Sequence, residues 1–184
     1  MEPFKAYTAF LDSTMVASGP LDQVLTAVKS WFDRDQGVPI LVFEDDTGRQ
    51  VDFDLRGTVP EMLARACRAP VRTGPGRPKL GVVAREVSLL PRHWEWLEQH
   101  PNGASAAIRR LVDQARSNDP GAERTRLAIE AASRFLSAMA GNLPGYEEAT
   151  RALFGRDRQR FDELIGVWPK DIRLHAQRLV CDRF

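Results

Sequence analysis

The sequence predicts an α+β protein in which a small ββαββα unit, a central strand–helix–helix segment and a set of C-terminal helices follow one another. Three observations predict it. Apolar residues alternate with a period of two in the first third of the chain, helical spacing dominates the last third, and a Pro/Gly-rich stretch follows the first unit. A length of 184 residues suits one domain or two small ones, and 43% hydrophobic against 28% charged residues is the balance of a globular chain.

The elements follow in order. Residues 6–18 read as extended, with Tyr7, Ala9 and Leu11 alternating and Asp12-Ser13 turning into Met15-Val16. After the break at Gly19-Pro20, Leu21, Val24, Leu25, Val28 and Phe32 recur at helical spacing. Gly37 ends that helix and Pro39 precedes a strand over Ile40–Phe43. Asp45-Asp46-Thr47-Gly48 reads as a hairpin turn, Gly48 supplying the positive φ, and Val51, Phe53 and Leu55 then alternate with Asp52 and Asp54 as a half-buried return strand. Thr58 is placed to cap a short helix containing Met62, Leu63 and Ala66. This unit spans 1–68. Residues 69–81 hold three Pro and three Gly in thirteen positions, the composition of a linker. A second unit covers 82–118, Asn118-Asp119-Pro120-Gly121 breaks the chain, and residues 122–184 form a helical tail. One tail helix runs from Leu127 to Met139 and stops at Gly141; Glu147–Phe154, Arg158–Val167 and Pro169–Val180 give three more.

Several function classes are excluded by what the sequence lacks. No apolar run reaches the roughly 18 residues of a membrane helix, and the start, MEPFKAYTAF, has no basic head before an apolar core, so no signal peptide is expected. Cys67 and Cys181 make neither a disulfide framework nor a four-ligand metal site, and a cytoplasmic location is expected. His93, His100 and His175 lack metal-ligand spacing and read as surface or partly buried helical residues. Gly103-Ala104-Ser105-Ala106-Ala107 has only one glycine of a nucleophile elbow and no buried strand before it, so it reads as a helix start. There is no Gly-x-Gly-x-x-Gly and no phosphate loop. The carboxylates Glu44, Asp45, Asp46, Asp52 and Asp54 lack calcium-loop spacing and read as a turn plus a solvated strand face. Nothing supports acid–base or nucleophilic catalysis, so no enzyme and no cofactor is expected.

The net charge of +1 hides an uneven distribution. Residues 1–64 carry 5 Lys+Arg against 11 Asp+Glu, residues 65–116 carry 10 against 4, and residues 117–184 carry 11 against 10. A polyanion would therefore meet the middle of the chain.

That middle holds the segment AREVSLLPRHWEWLEQHPNGASAAIRRLVDQARS, residues 84–117. Val87 and Leu89 alternate with Ser88 as a short strand. Pro91 stands at the first position of a helix over Arg92–His100, and Pro101-Asn102-Gly103 closes it. Ser105 opens a second helix with Ile108, Leu111, Val112 and Ala115 on one face and Arg109, Arg110 and Arg116 elsewhere. Trp94 and Trp96, two positions apart, do not share a helix face, and core packing is expected for at least one of them. The order Val87-x-Leu89-x-Pro91, Trp96-Leu97, Pro101, Ser105-x-x-Ile108-Arg109-x-Leu111-Val112 resembles the ribbon-helix-helix family of bacterial DNA-binding proteins.

The resemblance implies a homodimer. Two copies pair their strands into an antiparallel ribbon that enters the major groove, and the start of the second helix meets a phosphate. In that frame Val87 and Leu89 face the core, Glu86 and Ser88 face outward, and Arg85 supplements them. Asn102, Gly103 and Ser105 form the phosphate-facing helix start, and Arg109 and Arg110 contact the backbone. Glu86 departs from the family's pattern: it accepts from cytosine N4 but repels phosphate. Just upstream, Gly74-Pro75-Gly76-Arg77-Pro78-Lys79 is similar to an AT-hook core, with Pro75 where the usual Arg stands. Arg77 and Lys79 would then lie in a narrow minor groove.

Three further stretches run across the chain: Val51-Asp52-Phe53-Asp54-Leu55-Arg56-Gly57, Gly76–Val82 through Trp94–Leu97, and Ala138-Met139-Ala140-Gly141-Asn142-Leu143-Pro144-Gly145. With them the whole chain resembles the domain of unknown function 2239 family, which transfers no activity. Two functions remain open at this point. One is a dimeric binder of double-stranded DNA, with transcriptional regulation as its natural role. The other is a non-enzymatic interaction or scaffold protein in which residues 84–117 pack within the chain. They differ in one place: residues 84–89 either pair with a second copy or join the sheet of residues 6–55.

Overall fold

The computed structural model describes residues 5–35, 39–66 and 85–181. The linker 69–81, with Arg77 and Lys79, lies outside the described residues, as do Gly37, Cys67 and Ala84. The chain divides into two compact units: residues 1–68 together with 121–184, and residues 69–120.

The first unit starts with the expected ββαββα order. Strands β1 (Ala6–Leu11) and β2 (Thr14–Pro20) form a hairpin, α1 (Leu21–Phe32) follows, then β3 (Ile40–Glu44), β4 (Arg49–Gln50) and α2 (Val59–Ala66). The sheet is antiparallel throughout, in the order β2-β1-β3-β4. Alternation along β1 and β3 sends neighbouring residues to opposite faces. Ala9 pairs with Val42, and both pack with Val24 and Val28 of α1. Phe10 and Phe43 point the other way, into the larger core.

The return strand predicted over Val51–Leu55 is shorter than expected. Only Arg49 and Gln50 pair with β3, although the Val51 amide still reaches the Val42 carbonyl at 2.8 Å. Val51, Phe53 and Leu55 are half-buried while Asp52 and Asp54 are exposed, so the period of two reported burial, not a hydrogen-bonded ladder. At α2 the capping runs through Glu61, whose carboxylate accepts from both the Thr58 amide (2.8 Å) and the Thr58 hydroxyl (2.9 Å).

The larger core is completed by helices of the tail: α5 (Pro120–Met139), α6 (Tyr146–Phe154), α7 (Arg158–Ile165) and α8 (Lys170–Leu179). Ile129, Ala132, Phe135 and Leu136 of α5 join Phe10, Phe43, Leu153, Phe161, Ile165 and Ile172 in one cluster. The Phe135 ring lies 5.4 Å from Phe10 and 5.1 Å from Phe43, centre to centre. The tail is therefore not a separate domain: it covers the sheet face that α1 leaves open. The hairpin turn after β3 is locked to α5. Gly48 adopts φ +63, and a Cβ there would stand 1.9 Å from the Ala131 carbonyl oxygen. Arg134 donates to the Thr47 carbonyl at 2.8 Å. Gly48 is thus required twice, by its backbone angle and by the helix against it.

In the second unit α3 (Pro91–Glu98) and α4 (Gly103–Asn118) are present, with Pro91 at the first helical turn as expected. α4 begins two residues before Ser105. The break after it is a single residue. Asp119, held at ψ +75 before a proline, leaves the helical region, and Pro120 starts α5 at once. Residues 85–90 form no strand within the chain.

Candidate nucleic-acid interface

The approach to α3 is extended. Leu90 caps it at φ −67 and ψ 151, and its carbonyl accepts from the amides of His93 (2.8 Å) and Trp94 (3.3 Å). Upstream, Arg85, Glu86 and Ser88 are all exposed, and Leu89 is half-buried. Val87, expected to face a core, is 58% exposed.

Between the helices the chain reverses through two consecutive left-handed residues, Asn102 at φ +79 and Gly103 at φ +76, and the Gly103 amide closes onto the His100 carbonyl at 3.1 Å. Asn tolerates this angle better than most side chains, which explains the pair at this spacing. No side chain caps the start of α4, so its first amides project beside the exposed Ser105. Arg109 and Arg110 are exposed one turn further on. Arg109 does not pair with Asp113; its Nε donates to the Ser105 carbonyl at 3.1 Å. Asn102, Gly103, Ser105, Arg109 and Arg110 are thereby gathered over the first turns of one helix, while Arg85, Glu86 and Ser88 sit together on the segment before α3.

The apolar stripe expected on α4 is largely uncovered. Leu111 is 42% and Val112 50% exposed, and Ala115 is exposed too; Ala107 is buried instead and Ile108 half-buried. Neither tryptophan is in a core. Trp94 is exposed, and Trp96 packs its ring on His100 at 4.1 Å while remaining 46% exposed. Of α3 only Leu97 is buried. Leu97 and Ala107 are buried, while most of the other apolar side chains on the two helices stay exposed.

The first unit holds a polar cluster that the sequence reading passed over. His175, expected at or near the surface, is 3% exposed, with its ring against Phe135 (4.4 Å) and Phe10 (5.5 Å). Burial first, and the Arg178 guanidinium second, push its pKa down to about 3. Arg178 bridges helix and sheet, contacting Thr8 Oγ1 (2.7 Å), Asp45 Oδ2 (2.9 Å), His175 Nδ1 (2.9 Å) and Ser18 Oγ (2.9 Å). Asp45 is largely buried, and that desolvation raises its pKa. The local signal for His175 was its place in the stripe Ile172, His175, Ala176, Leu179. Asp45 had no comparable signal. Asp54 does lie on the solvated side as expected, with Arg56 holding its carboxyl down at about 2. Among the described residues no cluster of His, Cys, Asp and Glu could hold a metal ion, and no helix is long and apolar enough to cross a membrane.

A family model described as an uncharacterized protein conserved in bacteria, DUF2239, matches residues 6–180. The chain belongs to that family. Both units of this DUF2239 member lie within the match, so the second is an integral part of the family's chain. No curated protein and no solved structure matches it.

Proposed function

We propose that this protein binds double-stranded DNA as a homodimer formed through residues 84–115, with transcriptional regulation as its role. One observation carries the reading. Residues 85–90 belong to no strand among the described residues and all but Leu89 are exposed, which leaves them available to pair with a second copy. The uncovered apolar residues of the same unit, Val87, Leu90, Leu111 and Val112, supply the surface such a pairing needs. A unit of this size does not bury enough on its own to be stable, and association is the usual remedy.

In the proposed complex Ser88 and Glu86 face base edges from the ribbon. The helix start at Asn102–Ser105, through the amides of Ala104 and Ser105, meets a phosphate, Arg109 and Arg110 neutralise the backbone, and Arg77 with Lys79 follows the minor groove. Static light scattering at tens of micromolar tests the dimer, and fluorescence anisotropy of a labelled mixed duplex across a salt series tests the binding. A dimer whose log affinity falls linearly with log salt is expected. A monomer, or an affinity indifferent to salt, overturns the reading in favour of an interaction module, for which the outward Glu86 and the exposed Trp94 and Trp96 would be the contacts.

A further inference from the structure

A carboxylate stands in the segment that the DNA reading turns towards a polyanion. Glu86 is exposed and forms no hydrogen bond or ion pair with another described residue. Its neighbours Arg85, Val87 and Ser88 are exposed too, and Leu89 is half-buried. Side chains of a paired strand alternate between two faces. Pairing of residues 85–90 therefore puts Val87 and Leu89 on one face and Glu86 and Ser88 on the other. Burying the apolar pair leaves Glu86 and Ser88 to face outward. Arg85 falls on the Val87 side, so it does not stand beside Glu86 to offset its charge.

A two-stranded ribbon fits the major groove, and a carboxylate is a selective group there. It has acceptors and no donor. Guanine presents N7 and O6 and thymine presents O4, all of them acceptors that repel it. Adenine presents an amino donor with the N7 acceptor beside it. Cytosine presents its N4 amino group, which a carboxylate accepts from directly. Against every other sequence the same charge meets phosphates and unreceptive base edges. Glu86 therefore weakens binding to duplex in general and spares one base.

We propose that Glu86 is the specificity-determining residue of the duplex site: the dimer selects DNA with a cytosine in each half of a symmetric site, and the two carboxylates suppress binding to other sequences. The inference rests on the DNA-binding reading. Selection from a randomised duplex pool at one fixed salt concentration tests it, with the full-length parent and Glu86→Gln run side by side. The parent is expected to enrich sites with cytosine at one position of each half. Glutamine accepts from adenine N6 and donates to N7, so Glu86→Gln should enrich adenine there instead. Fluorescence anisotropy then gives the size of the effect. Replacing both cytosines of the parent's preferred duplex with thymine should cost the parent about tenfold in affinity and leave Glu86→Ala nearly unchanged. Both variants should bind a mixed duplex more tightly than the parent. Glu86 is exposed and unpaired among the described residues, so thermal unfolding of the variants should match the parent. A parent pool without cytosine at symmetric positions, the same base in both pools, or equal binding of a mixed duplex by parent and variants would each overturn the proposal while leaving DNA binding in place. A parent with no salt-dependent affinity for any duplex overturns the DNA reading and the proposal with it.

Discussion

The two units treat their aromatic and aliphatic residues in opposite ways. In the first, Phe10, Phe43, Phe135 and Phe161 are fully buried, and Trp168 is buried with its indole N–H on the Pro144 carbonyl at 2.8 Å. In the second, Trp94, Trp96, Leu111 and Val112 are exposed, and among its described residues the buried apolar ones are Leu97 and Ala107. The first unit has closed its core within one chain. The second leaves large apolar side chains exposed among its described residues.

Four measurements break or sharpen that contrast. Phe135→Ala removes the ring on which Phe10, Phe43 and His175 converge, and should destabilise the first unit by ~3–5 kcal/mol, read by urea unfolding. Val112→Ser on the second unit should instead leave that unfolding curve in place and weaken self-association by ~1.5–3 kcal/mol, the value of burying such a side chain. Sedimentation equilibrium reads it, and an unchanged dimer constant would make α4 an ordinary solvated helix.

The third measurement is a pH series. His175 has its folded pKa held at about 3, below the ordinary value of 6.5. The unfolded chain therefore binds the extra proton between those values, so the stabilising contribution is complete above pH 6.5 and is lost as pH falls towards 3. The raised pKa of Asp45 acts in the opposite sense, favouring the fold as pH drops through it. His175→Gln keeps an acceptor for Arg178 and cannot titrate. Against it, the parent's stability should fall more steeply below pH 6.5, by a slope difference approaching ~1.4 kcal/mol per pH unit. Parallel curves would mean that His175 is not sealed. Smallest in energy is Arg110→Ala, which should lower the slope of log affinity for duplex DNA against log salt by about one, without altering either unit's stability.

Much of this architecture was legible locally. The period of two in β1, the apolar run of β3, the 3.6 spacing of α1 and α5, Pro91 at a helix start and Asn102-Gly103 at a reversal are all signals a few residues long. The hidden part is long-range. Ala9 and Phe10 look alike in an alternation, and nothing nearby says that one meets α1 and the other a helix more than a hundred residues away. The return strand at 51–55 was misread because burial on one side imitates a ladder. The α4 stripe was read correctly as apolar, but a pattern records what a surface wants and not whether the same chain supplies it. Asp45 and His175 were set aside separately because Arg178, which joins them, lies 133 residues from Asp45.

Because the second unit interrupts the first, synthesis imposes a delay. Phe10 and Phe43 emerge early, with α1 able to cover one side of their sheet, but the ring that seals the other side belongs to Phe135. At ~5–20 residues per second that ring follows Phe43 on the order of 5–20 s later, long after a hairpin can form in microseconds. During that interval a nascent sheet presents two phenylalanines to solvent, while the second unit exposes apolar side chains of its own. Chaperone engagement of the ribosome-bound chain should therefore peak before residue 135 emerges and decline after α8 is complete.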